Sequence, residues 1–334
     1  MSNPLLFPYL YEKYYLCSKS DIEDAINLAN KQSTLLGYIH GLISIFFLIF
    51  YIPPVYVIIK KKFFLNSCYK IILFMCFLDI QAMIFGIFYS ILSILKKSYC
   101  LCPKIHLFIG SYTLAIWTGN CCTAMILVIN RIIDVFSQNY HELLFDGKKT
   151  FFWLLIPTIY MISFFVFHSS SCLSIIHHVF LFNPFVDYPS HNDTVDFNEL
   201  AGPTLSINNI YFLIILVILN IIYVIKLYYN TKSYIKTEKT VKMLKKVQIQ
   251  VLSICFIIFI TALLYVIIQY VKVPEFIMYT TQLFYLICHG SSGIIYLFFN
   301  PSIKENVFGR LTVQNKTLLE RLPRNKTMSP VTRI

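Results

Sequence analysis

Seven long stretches of this chain carry no charge or almost none, and they decide what it can fold into. They cover residues 32–59, 71–95, 105–130, 150–186, 200–225, 247–271 and 276–303, and the single acid within them is Asp79. Each stretch is at least 25 residues long, whereas a helix needs roughly 20 residues to cross the hydrocarbon core of a bilayer. Transmembrane strands would need only about 9–11 residues of alternating polarity, and that alternation is absent. A soluble domain is excluded too, because 57% hydrophobic and 13% charged residues leave too little charge to cover a surface. The chain therefore reads as an all-α membrane protein, a single seven-transmembrane helix bundle. The expected spans are about 35–60, 68–95, 104–133, 150–172, 207–229, 247–271 and 276–299.

The basic residues orient the bundle. With the N-terminus outside, seven of the 28 Lys and Arg fall in outer segments and 21 in inner ones. Such a bias is the positive-inside signal. The net charge of +12 calls for no nucleic acid, since its excess lies where anionic lipid headgroups would meet it. Residues 1–31 read as a short polar extracellular lead without a cleavable signal, so the first span is expected to act as its own anchor. Asn192-Asp193-Thr194 is a glycosylation sequon in an outer loop. Pro53-Pro54 predicts a bend or local unwinding in span one. After span seven, residues 301–311 suit a short amphipathic helix on the membrane surface, and 312–334 a cytoplasmic tail.

Most of the 10 cysteines sit inside spans as small apolar packing. Cys17 and Cys100 lie on the oxidising side, where a bridge would pin the N-terminus to the start of span three, with Cys102 and Cys172 as alternative partners. No zinc spacing, phosphate loop or nucleophile elbow occurs. Neither a metal, a cofactor nor an enzyme activity is expected.

Polar groups deep in a bilayer are costly and usually face the bundle interior. Asn120 lies 11 residues before Arg131, about 16 Å along its helix. Asp79 is about 18 Å from Ser67, and His289 about 16 Å from Asn300. Three separate spans thus place Asp79, Asn120 and His289 at one level, with Ser292 one turn further on the His289 face. Each could merely glue helices together, but a lone mid-membrane acid points to function. Trp117, a turn above Asn120, is a candidate to line a ligand cavity, core packing being the plainer alternative.

These residues resemble known motifs. Asn130-Arg131-Ile132 occupies the place of the acid-Arg-aromatic triplet of G-protein-coupled receptors, and "SGIIYLFFN" (292–300) resembles their Asn-Pro-x-x-Tyr segment, with Tyr296 as the tyrosine. More specifically, "NSCYKI" (66–71), "YCLCP" (99–103), "WTGNC" (117–121), "FDGKKTFFW" (145–153) and "HGSSGIIYLFFNPSI" (289–303) resemble nematode serpentine receptors of class T, nearly end to end. The resemblance implies a rhodopsin-like architecture and a chemosensory receptor in the plasma membrane, in sensory cilia for such a role. It would bind a small external molecule and signal to a heterotrimeric G protein, with Asn130, Arg131 and Tyr296 as its activation switch. Departures stand beside it. Asn130 replaces the acid next to the arginine, so no adjacent carboxylate would hold Arg131 at rest. Span six also lacks a tryptophan-proline pair. The alternative of a seven-span chemosensory channel or transporter is opposed by the charge bias, which puts the N-terminus outside, and by the absence of internal repeats.

Overall fold

A computed structural model describes residues 3–31, 34–191, 204–233 and 238–309. Asn192 and the tail from residue 312 lie outside them. Among the described residues, seven helices are long and apolar enough to cross a membrane. Spans one to seven run Leu35–Lys60, Ser67–Ile94, Pro103–Phe136, Lys149–Phe167, Thr204–Ser233, Glu238–Tyr270 and Glu275–Phe299. Local chemistry sets several of their ends. Asn66 starts span two by accepting from the Cys68 N–H at 3.0 Å, an ordinary N-cap. Pro103 opens span three at a position where its missing N–H costs nothing.

Span three is the axis of the bundle. Its 34 residues extend about 50 Å, it is buried along most of its length, and it packs against spans two, four and five. Spans one and two meet along small residues instead. A Cβ on Gly41 would come within 2.4 Å of Ser90 Oγ, and Ser90 Oγ donates to the Gly37 carbonyl at 2.6 Å. Lipid supplies no hydrophobic drive between helices, so such close backbone approach is what holds them.

The structure departs from the sequence reading in several places. Residues 1–31 are no plain polar lead: they contain helices α1 (Pro8–Tyr14) and α2 (Lys19–Lys31). Span four stops at Phe167, five residues short of 172, because His168 and Ser169-Ser170-Ser171 turn toward a hairpin, β1 (Cys172–Ser174) paired antiparallel with β2 (Val179–Leu181). Among the described residues the fold is thus all-α except for this hairpin. Spans five and six extend into residues 226–246, a connecting stretch with seven lysines, lysine being a good helix former. Span one stays helical through Pro53-Pro54 without unwinding. Pro54 cannot donate to the Phe50 carbonyl, and span seven closes over that carbonyl at Gly293, where a Cβ would lie 3.2 Å away. Beyond span seven, residues 301–309 are helical, started by Asn300 Oδ1, which accepts from the Ile303 N–H at 3.1 Å.

Candidate functional site

On the face of the bundle that carries α1 and α2, spans three, five, six and seven line a partly open cavity of about 260 Å³. The hairpin roofs it through Phe180 and Leu181, and Trp117 and Tyr285 form part of its wall. Trp117 is fixed there because its Nε1 donates to Asn209 Oδ1 at 3.0 Å, which also accepts from Asn208 Nδ2 at 3.1 Å. Asn208 Oδ1 in turn accepts from the Tyr160 hydroxyl at 2.5 Å. One polar chain therefore ties spans three, four and five beside the cavity. Asn209, Gln269 and Tyr285 were not legible as lining residues, because "NNI" and an isolated glutamine carry no spacing signal.

Below Trp117 and Tyr285 lies the polar cluster. The His289 ring sits 6.0 Å from Trp117 and 4.7 Å from Tyr285, both near edge-on. His289 Nδ1 meets Asp79 Oδ1 at 2.8 Å, and Asn120 Nδ2 donates to the same oxygen at 3.1 Å. The Tyr51 hydroxyl lies 3.0 Å from Asp79 Oδ2 and also against the His289 backbone carbonyl. Ser292 is buried beside the same carboxylate. All of Asp79, Asn120, His289 and Tyr51 are shut off from solvent. Tyr51 escaped the sequence reading because tyrosine is common in this chain, with 24 copies, and a single one carries no depth signature.

At the opposite face the three residues of the expected switch have separate partners. Asn130 Nδ2 donates to Ser67 Oγ at 3.0 Å and meets His141 Nε2 at 3.1 Å. His141 belongs to a loop helix, Gln138–Phe145, seated by Phe145, which is buried and stacked on Trp153 at 4.9 Å. Tyr296 is buried and donates to Met75 Sδ at 3.7 Å. Arg131 has Cys68 and Tyr69 of span two and Tyr223 of span five as electrostatic neighbours, and its Nε is buried without a partner among the described residues. A carboxylate does reach it: Asp134 Oδ2 lies 3.8 Å from Arg131 Nη1. The position next to Arg131 is still Asn130, and the acid that reaches the guanidinium comes from one turn further along the helix. The i,i+3 spacing would have revealed the pair, since residues three apart share a helix face.

The cavity roof is pinned to the N-terminal helices. Cys17 is bonded to Cys100, and Cys102 and Cys172 remain thiols. Asp24 accepts from the Ser190 N–H at 2.7 Å, and Asp21 from the Ser18 N–H at 2.7 Å and from His191 Nδ1 at 3.0 Å. Burial opposes ionisation of Asp21, but the donors from Ser18 and His191 outweigh it and hold the carboxyl below its ordinary 3.8. The fold therefore gains from Asp21 above that value and loses the gain as pH falls through the lower folded one. Asp187 carries the opposite sign. Burial pushes its carboxyl above 3.8 despite Ser174 and His177, so its contribution is complete below 3.8 and fades as pH rises through the folded value. Asp21→Asn is accordingly expected to loosen residues 3–31 at pH 7 and to flatten their loosening at pH 3, whereas Asp187→Asn should leave them as firm or firmer at pH 7. Protease protection of that segment across pH 3–8 checks both. Equal behaviour of the two variants would contradict the assignment.

The model of the serpentine-type seven-transmembrane GPCR chemoreceptor family Srt matches residues 6–319. No match is found among curated proteins.

Proposed function

Since this chain belongs to the serpentine-type seven-transmembrane GPCR chemoreceptor family Srt, we propose that it senses a small external molecule and passes the event to a heterotrimeric G protein. The observation that carries this reading is the stacking of a cavity directly on a buried polar cluster: Trp117 and Tyr285 line the one and touch His289 of the other. A ligand that moves either ring displaces a side chain bonded to Asp79, the shared anchor of spans one, two, three and seven. Ligands act by favouring one of two arrangements, and a packed polar core with few alternative pairings is suited to switch rather than to flex.

In this reading the N-terminus is external and the protein lies in the plasma membrane, with the cilia of sensory neurons as the site for a chemosensory role. The basic bias and the Cys17–Cys100 bridge support that orientation, because disulfides persist on the oxidising side. Arg131, Asn130 and Tyr296 then face the G-protein side. Freed from Asp134, Arg131 would offer its guanidinium to the partner.

Arg131→Ala should reach the surface normally yet lower ligand-evoked nucleotide exchange by about tenfold or more, within the range of ordinary allosteric coupling. Surface biotinylation and a G-protein exchange assay read the two quantities. Full signalling by the variant would remove Arg131 from the switch. A ligand-evoked current in excised, nucleotide-free patches would instead make the protein a channel.

A further inference from the structure

From the cavity wall we infer the chemical class of the ligand: an uncharged, mainly apolar small molecule that carries a hydrogen-bond acceptor such as a carbonyl oxygen. This rests on the receptor reading above and deepens it.

Among the described residues, no charged side chain lines the cavity. An ammonium or carboxylate placed there would lose its hydration with no counter-charge in the wall, a penalty that only excellent pairing repays. The size is equally restrictive. A volume of 260 Å³ lies at the small end of ligand pockets, which run to about 300–1,000 Å³.

Half of the sixteen lining residues carry a polar side-chain group, and one of these groups is unmatched. The Tyr285 hydroxyl is buried without a partner among the described residues. The indole N–H of Trp117 can only donate, so it fixes Asn209 with its oxygen already taken and its amide N–H₂ as the end left to give. Gln269 Oε1 likewise accepts from the Ser206 hydroxyl. Thr113, Ser171 and Tyr265 have already given their hydroxyl protons elsewhere, so the groups with a proton left to give near Trp117 and Tyr285 are the donors of Asn209 and Tyr285, and a buried donor left unmatched is costly. A ligand acceptor fills it, while Leu114, Leu205, Ile268 and Met278 suit a hydrocarbon body.

The test uses the full chain in nanodiscs with Met278→Cys, which places a reactive thiol in the cavity wall. Labelling by N-ethylmaleimide is timed against the wild-type protein as blank. Three probes of equal length compete: 2-octanone, octanoate and octylammonium. We expect 2-octanone to slow labelling at least fivefold, and the two ions to leave the rate unchanged. Adding Tyr285→Phe should erase most of the protection.

Equal or greater protection by either ion overturns the class, as does labelling that 2-octanone does not slow, or a thiol that never labels. Protection that persists in Tyr285→Phe overturns the acceptor assignment. The receptor reading is judged separately, by G-protein exchange on the wild-type protein. Exchange driven only by charged fractions of an extract would keep the receptor and sink the ligand class. Protection by 2-octanone without any exchange would keep the class and sink the receptor.

Discussion

Asp79→Leu is expected to leave the protein largely unfolded or retained inside the cell. The carboxylate accepts from His289 and Asn120 on one oxygen, and the Tyr51 hydroxyl faces the other. Leucine keeps the branched four-atom skeleton, with more bulk, but leaves these buried groups without an acceptor. Removing one member of such a buried set costs about 3–5 kcal/mol, a large part of the 5–15 kcal/mol typical of a whole domain. Asp79→Asn keeps an acceptor oxygen and the shape, so it should fold. It nevertheless presents an N–H₂ to one side that already donates, and ligand-evoked signalling should fall severalfold. Surface density and thermal melting in detergent measure the first effect, nucleotide exchange the second. A well-expressed Asp79→Leu variant with unchanged melting would show that the cluster holds nothing together. Unchanged signalling by Asp79→Asn would remove it from the receptor mechanism.

Loss of the Cys17–Cys100 bridge is the second large effect. The two cysteines are 83 residues apart, and closing a loop of that size restricts the unfolded chain by about 4.5 kcal/mol on the chain-entropy estimate. The stabilisation should appear first at the cavity roof, since the bridge holds α2 beside Tyr99 and the loop that carries His191. Cys17→Ser is predicted to expose residues 3–31 to protease and to lower the melting temperature. The double variant Cys17→Ser/Cys100→Ser should do no worse than either single one, because one bond is lost in each. Neither spare thiol is suited to take over. Burial pushes the Cys102 thiol up to about 11 and raises that of Cys172 as well, which leaves little of the thiolate that exchange requires. Full stability of Cys17→Ser would mean that the bridge adds nothing; additive losses in the double variant would mean that each cysteine acts by packing.

How far the sequence could be read followed from the range of the signal. Bilayer thickness imposes a length on each apolar run, so the seven spans were visible, and the Lys and Arg bias gives an expectation of which ends face inward. Depth along a helix is arithmetic, which is how Asp79, Asn120 and His289 could be placed at one level before any coordinates. What depth does not give is azimuth between different helices. Tyr51, Asn209 and Tyr285 therefore joined their neighbours only in the folded chain. The hairpin was hidden for another reason. Its six paired residues, Cys172–Ser174 and Val179–Leu181, are apolar enough to extend the hydrophobic run of span four, and nothing local marks where helix yields to strand. The loop helix Gln138–Phe145 is short and polar. Its anchors, Trp153 and Asn130, lie on other helices, so tertiary contacts rather than propensity define it.

The Tyr51 hydroxyl owns one proton and stands against two acceptors, the Asp79 carboxylate of span two and the His289 carbonyl of span seven. It can give that proton to only one of them at a time. Directed at Asp79, it fastens the first span to the second; directed at His289, it fastens the first span to the seventh. Exchanging one for the other is a rotation about a single C–O bond, and the number of satisfied donors is the same before and after. Spans two and seven can consequently slide a little past each other while Tyr51 hands its bond across, so the buried centre of the bundle tolerates a rearrangement there without stranding its tyrosine donor.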